Sequence, residues 1–172
     1  MPYTKTNWVA GVTAWSAANF NNLETQHAQA LADQTKEFFV NPSHVTGGAW
    51  NAKGFFAVID CLAAADSAYF SFKIPHDFTA ITNAEIIVIP LVTDAAANWD
   101  IFSNIASVGE AYNTHTEQDA VTTYNVILNQ LFAVDISGIL TNIVANDYVG
   151  VLFQLGDAAD DVAVVGLRFK YS

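Results

Sequence analysis

Positively charged residues are scarce in this chain, and its middle has none. Six Lys and Arg residues stand against 17 Asp and Glu, which gives a formal net charge of −11 at pH 7, and no cation occurs between Lys73 and Arg168. Proteins bind nucleic acid backbones and anionic lipid headgroups mainly through Lys and Arg contacts. The composition therefore argues against nucleic acid as a partner, and leaves neutral sugars, protein surfaces and divalent cations as candidates.

The chain also has only one cysteine and no long apolar run. The single cysteine, Cys61, excludes an intrachain disulfide, and its place within Phe55–Leu62 predicts a buried apolar side chain. The longest apolar run, Ile86–Val92, is too short to span a bilayer. The first eight residues lack the apolar core of a signal peptide. We expect synthesis in a cytosol, without secretion or membrane insertion.

Motifs for catalysis and metal binding are missing as well. None of the four histidines forms the His-x-His pair that a cupin-type metal site needs, and there is no Gly-x-Ser-x-Gly nucleophile elbow. His115, Glu117 and Asp119 would share one face of a strand, but their polar neighbours favour a loop. We therefore predict no catalytic residue, no cofactor and no metal site. The histidines are His27, His44, His76 and His115.

Carboxylates leave two alternatives open. The loop at 156–161 carries Asp157, Asp160 and Asp161, whose oxygens suit calcium, although the spacing is not that of an EF-hand and a solvated turn is the favoured interpretation. Paired acids for glycoside cleavage could also meet in space, which sequence alone does not decide.

Apolar residues are abundant, at 52% of the chain, whereas charged residues make up only 13%, against about 25% in an average soluble protein. At 172 residues, the chain has room for one well-filled core and a short appendage. The unusually uncharged surface is typical of an oligomer subunit.

Runs rich in β-branched and aromatic residues dominate the chain after residue 40. Several alternate with period two, so that Phe70 and Phe72 oppose Tyr69, Ser71 and Lys73. This pattern predicts an all-β, antiparallel jelly-roll sandwich over residues 41–172. A helical turn is expected within Asp135–Ile143 and a further short strand near Glu37–Asn41. The other predicted strands are Phe55–Leu62, Ala68–Ile74, Ala84–Val92, Trp99–Val108, Ala120–Leu128, Tyr148–Leu155 and Val162–Tyr171.

Residues 1–40 form a different kind of segment. Residues 1–15 predict an extended leader, and Ser16 is a good N-cap for a helix from Ala17 to about Lys36. Five positions of this helix follow one another at alternate spacings of three and four residues, which is the pattern of a short coiled-coil seam. We interpret this segment as an attachment or trimerisation element. A helix packed on its own domain is the alternative. The seam positions are Phe20, Leu23, His27, Ala30 and Gln34.

The leader carries a recognisable pattern of a Trp, a Gly, a Ser-Ala-Ala-Asn run and an Asn-Leu-Glu. These are Trp8, Gly11, Ser16–Asn19 and Asn22–Glu24. The pattern resembles the leaders of tailed-bacteriophage fibre and head-appendage proteins. The blocks at 70–81, 146–151 and 164–171 are similar to trimeric jelly-roll domains of phage structural proteins.

The resemblance implies a non-enzymatic homotrimer located in the virion, where its leader binds other virion proteins and its outer domain contacts a host glycan or protein. The implied interface residues are Trp8, Trp15, Phe20, Leu23 and His27.

Aromatic residues beside predicted loops suggest a surface contact, with Trp99 and Tyr112 as the candidates. They support an alternative function, that of a lectin-like carbohydrate-binding sandwich. Saturable glycan binding that is lost in Trp99→Ala would favour this alternative. A cupin-like enzyme is a third alternative, which the missing His-x-His disfavours.

Overall fold

The computed structural model describes residues 17–32 and 34–172. One helix, α1, spans Ala17–Ala32, and a short 3-10 helix spans Ser137–Ile139. The remaining elements are strands: β1 Lys36–Val40, β2 His44–Thr46, β3 Ala49–Lys53, β4 Phe56–Cys61, β5 Ser67–Lys73, β6 Ile81–Pro90, β7 Asp94–Ala106, β8 His115–Gln118, β9 Thr123–Val126, β10 Phe132–Asp135, β11 Tyr148–Leu155 and β12 Val162–Tyr171.

The strands form two sheets of six that pack face to face. Sheet A has the order β10-β6-β12-β4-β3, and β1 pairs with β12 beside β4. Sheet B has the order β2-β5-β11-β7-β8, and β9 pairs with β7 beside β8. All the pairs are antiparallel. The predicted all-β, antiparallel jelly-roll sandwich is confirmed.

The core lies between the sheets and follows from alternation along the strands. On β11, Val149, Val151, Phe153 and Leu155 are buried, while the residues between them face outward. The same alternation on β5 and β7 extends this side of the core, and β6 and β12 of sheet A supply the opposing side chains. Burial of a large apolar side chain contributes about 1.5–3 kcal/mol, so this alternation is the main source of the sandwich's stability.

A second, smaller apolar cluster lies on the outer face of sheet A. Val58, Ile89, Ala163 and Val165 are buried there, with Ile87 packed against them. This cluster explains why β6 is apolar on both faces: Ile86 and Val88 point into the main core, and Ile87 and Ile89 point outward.

Several sequence predictions need correction. Strand β1 pairs with β12 from Lys36 to Val40, so the sandwich begins before residue 41. The polar segment His115–Gln118 is not a loop, because it pairs with β7 as strand β8. Strands β2, β3 and β10 were not predicted, since each spans only three to five residues.

Two other predictions agree with the structure. The helical turn expected near residue 135 is the 3-10 helix at Ser137–Ile139. Cys61 is buried in the core, and burial, followed by the nearby charges of Asp66 and Asp60, raises the pKa of its thiol to about 12. This thiol is therefore protonated and packed as an apolar group at neutral pH.

The predicted surface position of Trp99 needs the clearest correction, because Trp99 lies in the core. Its side chain is 0% exposed, its ring stacks on Tyr124 with centroids 5.2 Å apart, and Phe153 lies 5.6 Å away. Its Nε1 donates a hydrogen bond to the backbone oxygen of Asp160 at 3.3 Å. A surface contact through Trp99 is therefore wrong.

Replacing Trp99 with Ala should lower the free energy of unfolding by about 3–5 kcal/mol, because the change leaves a large cavity between the sheets. Urea unfolding followed by circular dichroism measures this loss. Trp50 is the matched control, since it is 56% exposed on β3, and Trp50→Ala should cost about 1 kcal/mol or less. Equal losses in the two variants would contradict the core assignment of Trp99.

Candidate functional site

An open groove lies on the outer face of sheet B, the face turned away from sheet A. Its volume is about 530 Å³, and a smaller depression of about 180 Å³ shares its residues Ser71, Asn104 and Gly150. The groove is lined by residues of β5, β7 and β11 and by one residue of the loop after β7. They are Ser71, Phe72, Lys73, Asn104, Ala106, Tyr112, Tyr148, Val149 and Gly150.

Small residues form the floor of the groove because the strand register places them side by side. Gly150 on β11 pairs with Ser71 on β5 and with Asn104 on β7. Thr116 on β8 lies opposite Asn104 and extends the row to a fourth strand. With strands about 4.8 Å apart, this row of small polar residues runs for about 14 Å across the sheet.

Apart from Ala106, bulkier residues stand in the neighbouring rows on both sides of that floor. On one side, Leu152 lies between Tyr69 and Phe102. On the other side, Tyr148 lies between Lys73 and Ala106. The outer face of sheet B is therefore a trough with a polar floor and largely apolar, aromatic walls.

Gly150 keeps the centre of the trough open. A Cβ atom placed on Gly150 would meet no atom within 4 Å, so this glycine is not required by close packing. Any larger side chain there would project into the groove. The absence of a side chain at Gly150 therefore determines the depth of the trough.

The floor offers hydrogen-bonding groups in defined orientations. Thr116 Oγ1 donates to Asn104 Oδ1 at 2.8 Å, which fixes the orientation of the Asn104 amide. Within the described chain, Asn104 Nδ2 has no hydrogen-bond acceptor and is free to donate to a ligand. Ser71 adds an exposed hydroxyl across the strand from Gly150.

A buried carboxylate, Asp147, braces the backbone on the Tyr148 side of the trough. Asp147, which is 3% exposed, accepts hydrogen bonds from Ser107 Oγ at 2.5 Å and from Val144 N at 2.9 Å. It thereby ties the start of β11, where Tyr148 lies, to the loop after β7, which carries Tyr112. Tyr148 is 52% exposed and Tyr112 is 78% exposed, so both rings are presented to solvent.

Strand β8 forms one edge of the trough and is anchored by Glu117. The Glu117 carboxylate accepts hydrogen bonds from Thr141 Oγ1 at 2.9 Å and from Asn142 Nδ2 at 2.6 Å. Burial opposes ionisation of this carboxyl, but the hydrogen bonds from Asn142 and Thr141 outweigh burial and hold its pKa below the ordinary value. Glu117 is therefore a structural carboxylate.

Of the carboxylates considered as metal ligands, all but Asp161 accept hydrogen bonds from other described residues, and Asp161 Oδ1 has no such partner there. Asp119 accepts a hydrogen bond from the Tyr124 hydroxyl at 3.0 Å, and His115 is exposed. In the acidic loop, Asp160 accepts from Asn98 N at 2.7 Å, and Asp157 accepts from Ala159 N at 2.9 Å. Among residues 17–32 and 34–172, no three His, Cys, Asp or Glu side chains are arranged to hold a metal ion.

The predicted site residues have different outcomes. Tyr112 is exposed and borders the groove. Leu23 and His27 are exposed on α1, and the helix includes Phe20. Trp8 and Trp15 lie outside the described residues, as does the extended leader.

The described helix is too short or too polar to span a membrane.

Sequence reasoning missed the groove itself. The outward positions of β5 and β11 were visible as the alternate residues Tyr69, Ser71, Lys73 and Tyr148, Gly150. The missing information was the strand order, which brings these positions together with Asn104 on β7.

The sandwich is similar in architecture to carbohydrate-binding modules. No protein-family model matches the sequence, and no curated protein matches it significantly. A solved xylan-binding module, CBM15, is 18% identical, with a TM-score of 0.45 over 81% of this chain and 97% of that one. A carbohydrate-binding module, CBM36, solved in complex with calcium and xylotriose, is 13% identical, with a TM-score of 0.44 over 78% of this chain and 98% of that one.

A third solved structure is the CBM36-1 domain of a multidomain xylanase from the hindgut metagenome of Trinervitermes trinervoides. It is 13% identical, with a TM-score of 0.45 over 80% of this chain and 98% of that one. The likeness to these three structures is one of β-sandwich architecture.

The anchoring of β8 by Glu117 predicts a specific acid response. Because the pKa of Glu117 is lowered by folding, its stabilising contribution is present above the pKa of an unfolded Glu, about 4.3, and is lost as the pH falls through the lower folded value. Glu117→Gln should therefore show a smaller loss of unfolding free energy below about pH 4.3 than the wild type. Urea titrations at a series of pH values measure this. Glu24→Gln, the same change at an exposed residue of α1, is the comparison and should follow the wild-type profile. Identical pH profiles for the wild type and Glu117→Gln would contradict the assigned role.

Proposed function

We propose that the protein binds carbohydrate in the trough on sheet B and performs no catalysis there. The observation that carries this proposal is the row Ser71, Gly150 and Asn104, a small polar floor between bulky walls. A sugar ring has apolar faces and a polar rim. Aromatic and aliphatic walls can therefore pack on its faces, while floor residues bond to its hydroxyls.

The shape of the trough suits a chain of linked sugars. It is open to solvent, so a ligand can extend beyond the groove. Its floor of Ser71, Gly150 and Asn104 is about 10 Å across three strands and accommodates a short run of rings. A compact, enclosed pocket would instead favour a single small molecule.

The lining of the trough supports binding without hydrolysis. Glycoside cleavage requires a pair of carboxyl groups on either side of the scissile bond. No Asp or Glu occurs among the described residues that line the groove. The buried Asp147 lies behind the wall and is engaged by Ser107 and Val144.

Gly150→Leu should abolish glycan binding without destabilising the fold, because the new side chain fills open space at the centre of the trough. Binding is first found on a glycan array and then measured by isothermal titration calorimetry with the best oligosaccharide. Tyr148→Ala should weaken binding about two- to tenfold through loss of ring packing.

Gly138→Leu is the matched control, since a Cβ atom at Gly138 also meets nothing within 4 Å and Gly138 lies in the 3-10 helix, outside the groove lining. It should bind as the wild type does. The proposal is overturned by the absence of saturable binding to any arrayed glycan, or by wild-type affinity in Gly150→Leu.

The exposed helix supports a second role, in which the N-terminal segment attaches the protein within a phage virion as a homotrimer. From Asn21 to Ala30, every side chain except that of Gln26 is exposed, including Leu23, which is 39% exposed. A lone helix of this length is marginal in water, so packing against two other copies would stabilise it. The leader resemblance favours the same interpretation, and the sugar-binding trough would then contact the host surface.

Leu23→Asp should dissociate the trimer, because a charge would be buried at the seam between helices. Sedimentation equilibrium at moderate salt measures the oligomer, which should have trimer mass in the wild type. Gln29→Asp, an exposed position outside the seam, is the control and should remain trimeric. A monomeric wild type, or a trimeric Leu23→Asp variant, would refute the trimerisation role.

A further inference from the structure

Lys73 is unusual among the cations of this acidic protein. Across residues 17–32 and 34–172 there are five Lys and Arg side chains, and each except Lys73 forms an ion pair with a carboxylate. The chain carries 17 Asp and Glu residues, so acidic partners are plentiful. The pairs are Lys36–Asp77, Lys53–Asp60, Arg168–Glu85 and Lys170–Glu37.

The unpaired cation lies in the trough. Lys73 is exposed, lines the groove, and holds its Nζ atom 5.9 Å from the centre of the Tyr148 ring. Asn104 and Ser71, the polar groups of the floor, are neutral. The described lining residues therefore provide one positive charge and no negative charge.

We propose that the trough selects an acidic glycan, with a sugar ring packed on Tyr148 and its carboxylate bound by Lys73. This inference rests on the proposed carbohydrate binding at the same trough and specifies the class of sugar. A uronic acid and a sialic acid both present the required chemistry, a carboxylate attached to a ring with an apolar face.

The charge of the whole protein makes this preference testable. A net charge of −11 repels anions at a distance, so without a local cation an acidic glycan should bind less tightly than its neutral counterpart. Lys73 offers the local attraction that reverses this order. Because the pair would be exposed to solvent, its contribution corresponds to about a two- to fivefold change in affinity.

The test compares matched acidic and neutral probes by isothermal titration calorimetry on the full chain. The pairs are tri-galacturonate against galactotriose and sialyllactose against lactose, which separate uronic acid from sialic acid. We expect the wild type to favour the acidic member of at least one pair. Lys73→Gln should reverse that order while keeping its affinity for the neutral member, and Lys73→Arg should restore the preference.

Lys170→Gln is the control, because Lys170 lies on β12 in sheet A and is paired with Glu37. It removes the same charge from the protein and should leave the preference intact. Neutral binding with no acidic preference, or a preference that survives Lys73→Gln, overturns this inference and leaves the proposed function standing. Binding of none of the four probes by the wild type, together with a negative glycan array, overturns both.

Discussion

The position of β11 between β5 and β7 is the constraint on which both the core and the trough depend. Its inward side chains, such as Val151 and Phe153, are buried, and a slip of one residue in register would turn them out to water. The same register fixes which outward residues meet. Burial on one face of β11 therefore determines the row Ser71, Gly150 and Asn104 on the other. The trough needs no packing of its own to keep its shape.

Gly150 illustrates a local cost that the surrounding sheet offsets. Glycine in a strand interior is less favourable than alanine by roughly 0.5–1 kcal/mol, and nothing near Gly150 forbids a side chain. At Gly166, in contrast, a Cβ atom would lie 2.1 Å from the Phe39 ring, so a side chain there would displace that ring. Gly150 thus keeps the outer face of sheet B open, whereas Gly166 lies beneath the Phe39 ring on the outer face of sheet A.

The sequence was sufficient to predict the strands with clear alternation, such as β5, β11 and β12, because burial on one face imposes a period of two on their apolar residues. It failed for β8, whose polar residues lie at a sheet edge and are held by Glu117. It also failed for Trp99, because the Ala- and Asn-rich residues before it suggested a loop, whereas they continue strand β7. The trough could not be predicted, since it combines residues from three strands whose order depends on long-range pairing.

Electrostatics distinguish the two outer faces of the sandwich. On sheet A, Glu37 pairs with Lys170 and Glu85 with Arg168 at directly opposed positions of neighbouring strands, so those charges are neutralised within the protein. Sheet A also covers part of its outer face with the cluster around Val58 and Ile89. On sheet B, Lys73 and the exposed tyrosine rings have no such internal partners among the described carboxylates. Sheet A therefore neutralises these charges within the protein, whereas sheet B leaves a cation exposed beside the Tyr148 ring.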